Sequence, residues 1–387
     1  MNSFVFCNPT RIFFGEGAVK NLAGQLSNYG NNVLLAYGRG AIKKEGIYDA
    51  VMKILRDCGK NVFELSGIMS NPTAAKVREG VAICKENKID LILAVGGGST
   101  IDCCKAVAAG SLIEGDFWEE FFEKHMVPDK AIPIGTILTM VGTASEMNGN
   151  AVITNEEKKI KGSFFSPASY PRFSILDPTY TYSVPQYQMV SGICDIMSHI
   201  MEQYFSGTDD NISDDLSEAL MKSIIKNARI AVKNPRDYTA RSNIMWGATV
   251  ALNGILGCAK TQDWEVHQIE HQLAAYYDDI AHGMGLAAVT PAYFRYIYKS
   301  GLNKFRQFAV NVWGVSPENK TDEQIALEGI GRLEAFFKEI GAAVSLRELG
   351  ITDKGKFDEI AGSCNIKTGG YQILTRDDIK KILDECF

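Results

Sequence analysis

The stretch that most restricts the fold is a short apolar run that ends in three consecutive glycines. Residues 90–95 (Asp-Leu-Ile-Leu-Ala-Val) are apolar after the first position, and Gly-Gly-Gly-Ser follows at 96–99. Such a run, without polar alternation, predicts a strand buried on both faces of a sheet. A helix is predicted directly afterwards, over residues 100–109. This order is typical of a parallel sheet covered by helices.

The same alternation continues through the first half of the chain. Further strands are predicted at 32–37, 61–65 and 132–136, with helices over 46–58 and from the Asn-Pro-Thr at 71–73 to about 87. Residues 155–161 are charged and predict the tip of a hairpin with mostly solvated lysines. We therefore predict an α/β domain with a parallel sheet and a glycine-rich dinucleotide loop, spanning residues 1–184.

Beyond the Ser-Val-Pro at 183–185 the pattern becomes helical. Long amphipathic helices are predicted over 188–205, 213–233, 239–256, 264–276, 300–312, 321–340 and 376–387. This indicates an all-helical domain over residues 185–387. We expect a cleft between the two domains.

The glycine turn carries the first piece of chemistry. Glycine lets a backbone approach a ligand closely, and free amides at a helix start attract an anion such as a pyrophosphate. An alternative is that Ser99 and Asp102 form a capping box at the helix start, which is compatible with phosphate binding. The G-x-G-x-x-G spacing of the Rossmann fingerprint is absent.

The second piece is a concentration of histidines, because four of the five lie between residues 199 and 282. Asp195 and His199 are spaced i, i+4, as are His267 and His271, so each pair lies on one helix face. A single pair of this kind is more often a surface or capping feature. Two pairs together with His282, predicted on a following turn, indicate a metal site, and imidazole with carboxylate suits Zn or Fe(II) better than Ca or Mg.

Composition excludes some classes of function. The formal net charge of −6 argues against nucleic-acid or membrane-surface binding. The nine cysteines are scattered and form no C-x-x-C motif, which indicates a reduced, cytoplasmic chain. No signal peptide and no membrane span are predicted.

The ordered motifs resemble those of the iron-containing (group III) alcohol dehydrogenase family, most of all its NADPH-dependent butanol dehydrogenase and aldehyde reductase branch. The resemblance covers essentially the full length. It rests on Gly-Gly-Gly-Ser-x-x-Asp at 96–102, Gly-Thr-x-Ser-Glu at 142–146, Asp-x-x-x-His at 195–199, Asp-Trp-x-x-His-x-x-x-His at 263–271 and His-Gly at 282–283.

The resemblance implies a divalent metal, Fe(II) or else Zn. The implied ligands are Asp195, His199, His267 and His282. His271 matches a nearby histidine that resembles a proton relay or substrate-pocket residue, and is the predicted catalytic residue. Between His271 and His282 the chain holds one residue more than the family pattern, which would displace His282 unless the turn absorbs it.

Cofactor preference is predicted from the turn after the first of the predicted strands. NAD-selective proteins place an acidic residue there to bind the ribose hydroxyl, whereas this chain has Gly38 followed by Arg39. A guanidinium without a nearby carboxylate favours a 2′-phosphate, so we predict NADP(H) over NAD(H). The other predicted cofactor-binding residues, most of them implied by the resemblance, are Asn71, Gly97, Gly98, Ser99, Asp102, Thr139, Thr143 and Lys161.

The predicted activity is hydride transfer between NADP(H) and a small primary alcohol or aldehyde such as butanol or butyraldehyde. The metal would polarise the substrate oxygen as a Lewis acid. A lyase like dehydroquinate synthase, or an NAD-using enzyme like glycerol dehydrogenase, shares this architecture and remains an alternative. A homo-oligomer, a dimer or larger, is expected from the resemblance.

Overall fold

A computed structural model describes residues 1–208, 211–277 and 279–387 of the chain. It divides into two compact units. One contains Cys7–Val184, and the other contains Met1–Phe6 together with Pro185–Phe387. None of the described helices is both long enough and apolar enough to cross a membrane.

The first unit is built on a parallel sheet. Its strands are β1 (Arg11–Phe14), β2 (Asn32–Tyr37), β3 (Asn61–Leu65), β4 (Leu91–Gly96), β5 (Ile134–Leu138), β6 (Asn150–Asn155), β7 (Ile160–Phe165) and β8 (Phe173–Leu176). Six of them form one sheet in the order β1-β8-β5-β4-β2-β3, all parallel, while β6 and β7 form an antiparallel hairpin. The strands β4 and β5 are buried along their whole length, as the apolar run of β4 predicts, and β5 buries Thr136 as well.

Helices connect the strands of this unit. They are α1 (Leu22–Leu26), α2 (Ala41–Lys44), α3 (Ile47–Asp57), α4 (Ala74–Asn87) and α5 (Gly98–Gly110). The chain passes from β2 outward to β3 and then returns to β4 on the other side of β2. The carboxyl ends of β2 and β4 therefore lie at the reversal point where ligands of open α/β sheets bind.

The predicted strands and helices of this unit are confirmed, with shifted ends. The helix after the glycines begins at Gly98, two residues earlier than predicted. The helix predicted from the Asn-Pro-Thr begins at Ala74, because Thr73 is its N-cap and accepts from the Lys76 amide at 3.2 Å. The four-residue strands β1 and β8 were not predicted, since so few residues carry no readable period.

The second unit is helical, and no strand occurs among its described residues. Its helices are α6 (Gln186–Tyr204), α7 (Ile212–Lys233), α8 (Tyr238–Ala251), α9 (Glu265–Tyr276), α10 (His282–Ile297), α11 (Leu302–Asn311), α12 (Asp322–Ile340), α13 (Phe357–Ser363) and α14 (Arg376–Glu385). The predicted fold class, an α/β part followed by an all-helical part, is confirmed.

Two helices of the second unit escaped prediction, and one of them matters for function. The α10 sequence contains Gly283, Gly285 and Pro291, residues that disfavour an isolated helix. It is nevertheless helical because nearly every side chain from Gly283 to Phe294 is buried, and burial outweighs intrinsic propensity. The helix predicted over 239–256 is also shorter than expected and ends at Ala251.

Candidate functional site

The glycine turn of the first unit joins β4 directly to α5. Gly97 is the N-cap residue of α5, and no side chain caps the helix there. The first amides of a helix have no partner within it, and they carry the positive end of its dipole. A Cβ atom on Gly98 would lie 2.2 Å from Thr143 Oγ1, so only glycine allows this close approach. The turn therefore has the form of an anion site.

The capping-box alternative is wrong, because Ser99 lies inside the helix and not at its N-cap. Asp102 instead accepts hydrogen bonds from Ser145 Oγ at 2.5 Å and from the Val152 amide at 3.0 Å. Its carboxylate thus joins α5 to the turn after β5 and to the hairpin. Asp102, predicted to bind the cofactor, holds the segment that carries Thr143.

A buried lysine fastens the same segment and was missed by the sequence analysis. Lys105 is fully buried in α5 and donates to Asn148 Oδ1 at 3.0 Å and to the Asn150 carbonyl at 2.7 Å. Burial lowers the pKa of Lys105 to about 8, against the opposing effects of Asp102 and Glu146. A single lysine within the otherwise apolar residues that follow Asp102 in α5 is the signal that could have revealed it.

The other predicted cofactor residues lie at different places in this unit. Gly38 and Thr139 follow β2 and β5, so both lie at the carboxyl edge of the sheet, and the Thr139 amide donates to the Gly96 carbonyl at 3.0 Å. The Arg39 side chain is exposed, and its Nη2 donates to Met69 Sδ at 3.1 Å.

Asn71 and Lys161 lie elsewhere in the first unit. Asn71 follows β3 with a left-handed φ of 55°, just before the bridge that Thr73 forms with Thr154 of β6. Lys161 lies in β7 and is buried, whereas Lys158 and Lys159 at the hairpin tip are exposed, as predicted for most of these lysines.

The imidazole cluster of the second unit comprises Asp195, His199, His267, His271 and His282. Asp195 and His199 lie on α6, which is buried from Met189 to Tyr204. The spacing brings His199 Nε2 within 3.3 Å of Asp195 Oδ1.

Two further imidazoles reach the same carboxylate oxygen from other helices. His267 Nε2 on α9 and His282 Nε2 at the first position of α10 both lie 3.6 Å from Asp195 Oδ1. The ligand atoms of Asp195, His267 and His282 all lie within 4.8 Å of one another. The ring of His199 stacks on that of His267 at a centroid distance of 4.9 Å, so all four predicted ligands are brought together.

The donor atoms fit a divalent cation. Ligand bonds of 2.0–2.1 Å in a tetrahedral site separate neighbouring donors by about 3.4 Å. The observed separations of 3.3 and 3.6 Å from Asp195 Oδ1 match that spacing. Asp195 Oδ1 and His267 Nε2 are also buried without a well-formed hydrogen bond to the described residues. Buried polar atoms without partners are costly, and a cation would satisfy both.

His271 lies at the edge of the cluster, outside the group formed by Asp195, His267 and His282, and its ligand atom falls within 4.8 Å of those of Glu270 and His282. Its ring centroid lies 6.0 Å from that of His267 and 5.4 Å from that of His282. The predicted extra residue does not displace His282, whose Nε2 still faces Asp195. Within the stretch between His271 and His282 that holds the extra residue, Asp278 lies outside the described residues.

The electrostatics of the metal-free cluster follow from burial and mutual contact. Burial opposes the charge of Asp195, but His199, His282 and His267 outweigh it and hold the pKa of that carboxyl well below its usual range. Burial lowers the pKa of His199 to about 4, although Asp195 opposes the shift. Burial also disfavours charge on His267, but Glu202 and Asp195 prevail and raise its pKa to about 10.

Sequence analysis missed two carboxylates that contact this cluster. Glu202 Oε1 is hydrogen-bonded to His267 Nδ1, and Glu270 Oε2 to His282 Nδ1. Each lies three residues after a histidine of its own helix, in His199-x-x-Glu202 and His267-x-x-Glu270. That spacing, on the face of a predicted metal helix, is the signal that could have revealed them.

Comparisons with known proteins identify the family of the chain. The profile of the family described as iron-containing alcohol dehydrogenase matches residues 9–178. A second profile, the C-terminal region of the Fe-containing alcohol dehydrogenase family, matches residues 189–387.

Individual relatives cover nearly the whole chain. The chain is 43% identical over 386 residues to the probable NADH-dependent butanol dehydrogenase 1 of Bacillus subtilis, with 99% of each chain covered. It is 36% identical over 354 residues to the NADPH-dependent aldehyde reductase YqhD of Escherichia coli, covering 91% and 90% of the two chains. The crystal structure of NADH-dependent butanol dehydrogenase A of Thermotoga maritima superposes with a TM-score of 0.95 at 40% identity, covering 100% of this chain and 99% of that one.

Proposed function

Because the chain belongs to the iron-containing alcohol dehydrogenase family of NAD(P)-dependent oxidoreductases, we propose that it interconverts a small primary alcohol and its aldehyde. Butanol and butyraldehyde are the proposed pair, since similar chains are named butanol dehydrogenases. The observation that carries the proposal is the convergence of three imidazole nitrogens on Asp195 Oδ1, at 3.3 and 3.6 Å.

In this proposal Asp195, His199, His267 and His282 hold one divalent ion, Fe(II) or Zn. A bound ion of this kind supplies Lewis acidity at the substrate oxygen. The indole of Trp264 lies edge-on to the rings of His199 and His267, with centroids 6.1 and 5.4 Å away, and forms an aromatic wall beside the donors. Such a wall limits the access of water to the reacting atoms.

The first unit would bind the dinucleotide. The nicotinamide supplies the hydride, which is chemistry that belongs to the cofactor. The amides at the start of α5, around Gly97, Gly98 and Ser99, would hold the pyrophosphate. Asp102 and Lys105 would keep the Thr143 segment against that turn through their buried contacts.

His271 would exchange the proton of the product hydroxyl with solvent. Imidazole is suited to this role at neutral pH. The His271 ring centroid lies 5.4 Å from that of His282 and His271 is outside the group of Asp195, His267 and His282, which supports a relay role, although its own ligand atom lies within 4.8 Å of those of Glu270 and His282.

Two observations bear on the choice between NADP(H) and NAD(H) and favour different answers. The turn after β2 offers the exposed guanidinium of Arg39 and has glycine where an NAD-selective chain carries an acid, which supports NADP(H). Relatives at 42 and 43% identity are named NADH-dependent, whereas the aldehyde reductase at 36% is named NADPH-dependent. We propose NADP(H) on the ground of charge and keep NAD(H) as the second candidate.

An Arg39→Ala variant tests the cofactor choice. Removing a charge-assisted contact to the 2′-phosphate should lower kcat/KM for NADPH on the order of tenfold or more and leave NADH almost unchanged. Arg56→Ala, an exposed arginine of α3 in the same unit, is the matched control. Equal losses with both cofactors, or a wild type that prefers NADH, would refute the NADP(H) assignment.

The reaction itself is tested on anaerobically purified protein. NADPH oxidation is followed with butyraldehyde and a panel of longer and shorter aldehydes, alongside elemental analysis for iron and zinc. Turnover that requires about one ion per chain supports the proposal. A lyase that recycles its NAD would show no net NADPH oxidation, and a glycerol dehydrogenase-like enzyme would favour glycerol over butanol.

Cytoplasmic location and oligomeric state form part of the same proposal. All nine cysteines are free of disulfides, which suits a reducing compartment. Light scattering on the purified chain tests the expected dimer or larger assembly.

A further inference from the structure

Glu202 and Glu270 are buried acids in the second unit that the proposed reaction does not use. Their exposed fractions are 1% and 0%. Glu202 lies on α6, the helix of Asp195 and His199, and Glu270 lies on α9, the helix of His267. Carboxylates buried to this degree need partners that stabilise them.

The partners of Glu202 fix its carboxylate from several sides. Glu202 Oε1 is hydrogen-bonded to His267 Nδ1 and also accepts from Ser198 Oγ at 2.6 Å. Glu202 Oε2 accepts from the backbone amide of His267 at 3.2 Å. The carboxylate therefore contacts both the ring and the backbone of a histidine on another helix.

Glu270 occupies the equivalent position for His282. Its Oε2 is hydrogen-bonded to His282 Nδ1, which links α9 to the start of α10. A Cβ atom on Gly285 would lie 2.8 Å from Glu270 Cγ, so glycine there leaves the space that the acid fills. The glycine that made α10 hard to predict thus serves this contact.

We infer that Glu202 and Glu270 are positioning residues that orient His267 and His282 for the divalent ion. The inference rests on the proposed metal role. A carboxylate at Nδ1 keeps the proton on that nitrogen, so the lone pair of Nε2 is left to ligate the ion. The Nε2 atoms of His267 and His282 both lie 3.6 Å from Asp195 Oδ1, so both rings face the carboxylate oxygen that would share the ion. Three helices are braced in sequence, α6 to α9 by Glu202 and α9 to α10 by Glu270.

The third imidazole lacks such a brace. His199 Nδ1 is buried and makes no hydrogen bond within the part of the chain that the structure describes. The bracing therefore applies to the two histidines that come from helices other than α6. His199 shares a helix with Asp195, and the backbone already fixes their separation.

The test measures ion affinity on metal-stripped protein by chelator competition with Zn²⁺. Glu202→Gln and Glu270→Gln keep the side-chain volume and remove the charge, and each should weaken Zn²⁺ binding by about 10–100-fold. Glu218→Gln is the matched control, because Glu218 is also buried but contacts Tyr204 and Asn311. Its ion affinity should stay unchanged, and an equal loss in this control would overturn the inference.

A double variant separates positioning from a general effect of charge. If Glu202 acts through His267, Glu202→Gln should weaken binding no further in a His267→Ala background. The visible absorption of the Co²⁺-loaded protein supplies a spectroscopic readout, since a reoriented imidazole changes the ligand field. An additive loss, together with a spectrum identical to wild type, would overturn positioning.

The outcomes distinguish this inference from the proposed function. Tight Zn²⁺ binding by wild type and unchanged binding by both glutamine variants would overturn the positioning role and leave the metal role standing. A wild type that binds no ion would overturn both. Should Glu202→Gln fail to fold, Glu202→Asp keeps the charge but withdraws it from Nδ1. The same order of loss is then expected, and an unchanged affinity counts against the inference.

Discussion

The two candidate sites of this molecule differ in the groups that form them: backbone amides in the first unit and ionisable side chains in the second. The glycine turn in the first unit offers backbone amides and works because side chains are missing, as at Gly97 and Gly98. The imidazole cluster in the second unit consists of ionisable side chains, most of them buried, and some are held by a neighbouring acid, as His267 is by Glu202. The first site should therefore fail when atoms are added, and the second when charges are removed.

This difference also concerns how each site tolerates its own burial. A backbone anion site carries only partial charges and needs little compensation. Three carboxylates, of Asp195, Glu202 and Glu270, are buried in or beside the cluster, each with its partners. Removing one member leaves the others unpaired, so the expected losses are larger there.

The largest effect is expected from Asp195→Ala. The variant should lose its bound ion, and activity should fall on the order of 10³-fold or more, since Lewis-acid stabilisation is worth several kcal/mol. Elemental analysis and NADPH oxidation with butyraldehyde check this, with the exposed Asp215→Ala as control. Full activity in an ion-free Asp195→Ala protein would show that the reaction does not need an ion held by the imidazole cluster.

The next effect is expected from His271→Ala. Turnover should fall by about 10²-fold, the lower range for general acid–base catalysis, while the bound ion stays nearly unchanged. Measuring kcat and metal content on the same preparation separates the roles. Parallel loss of the ion would make His271 a ligand and enlarge the cluster.

A smaller effect is expected from Gly98→Ala, which tests the glycine turn. The added Cβ would meet Thr143 Oγ1 at 2.2 Å, so either the turn or the Thr143 side chain must shift. We expect Kd for NADPH to rise about tenfold, which corresponds to about 1.4 kcal/mol, with metal content unaffected. Gly331→Ala in α12, where nothing lies within 4 Å of the new atom, is the control. Unchanged cofactor binding would show that the turn does not contact the dinucleotide.

The remaining effects are on stability and not on activity: the free energy of unfolding should change with pH, and the sign of that change should differ between the two units. Burial raises the pKa of Asp263 from 3.8 to about 7, and the nearby charges of Glu202 and Glu265 add to the shift. The hydrogen bond that the Tyr293 hydroxyl donates to Asp263 opposes it. Between pH 3.8 and about 7 the Asp263 carboxyl is protonated in the folded metal-free protein and ionised in the unfolded chain. The free energy of unfolding therefore falls as pH rises, by about 1.4 kcal/mol per pH unit from this group.

Asp263→Asn should flatten this slope in urea titrations from pH 4.5 to 6.5, leaving the parallel contribution of Glu265, whose pKa burial also raises to about 7.

In the first unit the free energy of unfolding should change with pH in the opposite direction. Burial lowers the pKa of Lys105 from 10.5 to about 8. Between these two pH values the unfolded chain binds more protons than the folded chain, so the free energy of unfolding rises with pH. Lys105→Met should remove that rise. An unchanged slope in either variant would contradict the assigned group.

Sequence patterns predicted the elements with strong periods and missed those whose stability comes from packing. The uninterrupted apolar strands and the amphipathic helices were readable, as β4 and α12 illustrate. The helix α10 was not, because Gly283, Gly285 and Pro291 argue locally against it. Glu202 and Glu270 were overlooked for a related reason. A buried acid and a solvated acid have the same letter, and only the fold shows which histidine each contacts.

The sequence by itself determined the two kinds of chemistry: a strand that ends in glycines before a helix, and acid and histidine pairs at helical spacing. These are local, since they depend on residues within one or two turns. Only the tertiary structure decided that His199, His267 and His282 share one carboxylate oxygen, and that Asp102 and Lys105 face inward to hold a loop. Such contacts join residues up to 87 positions apart (195 to 282), and packing of whole helices, not local preference, sets those distances.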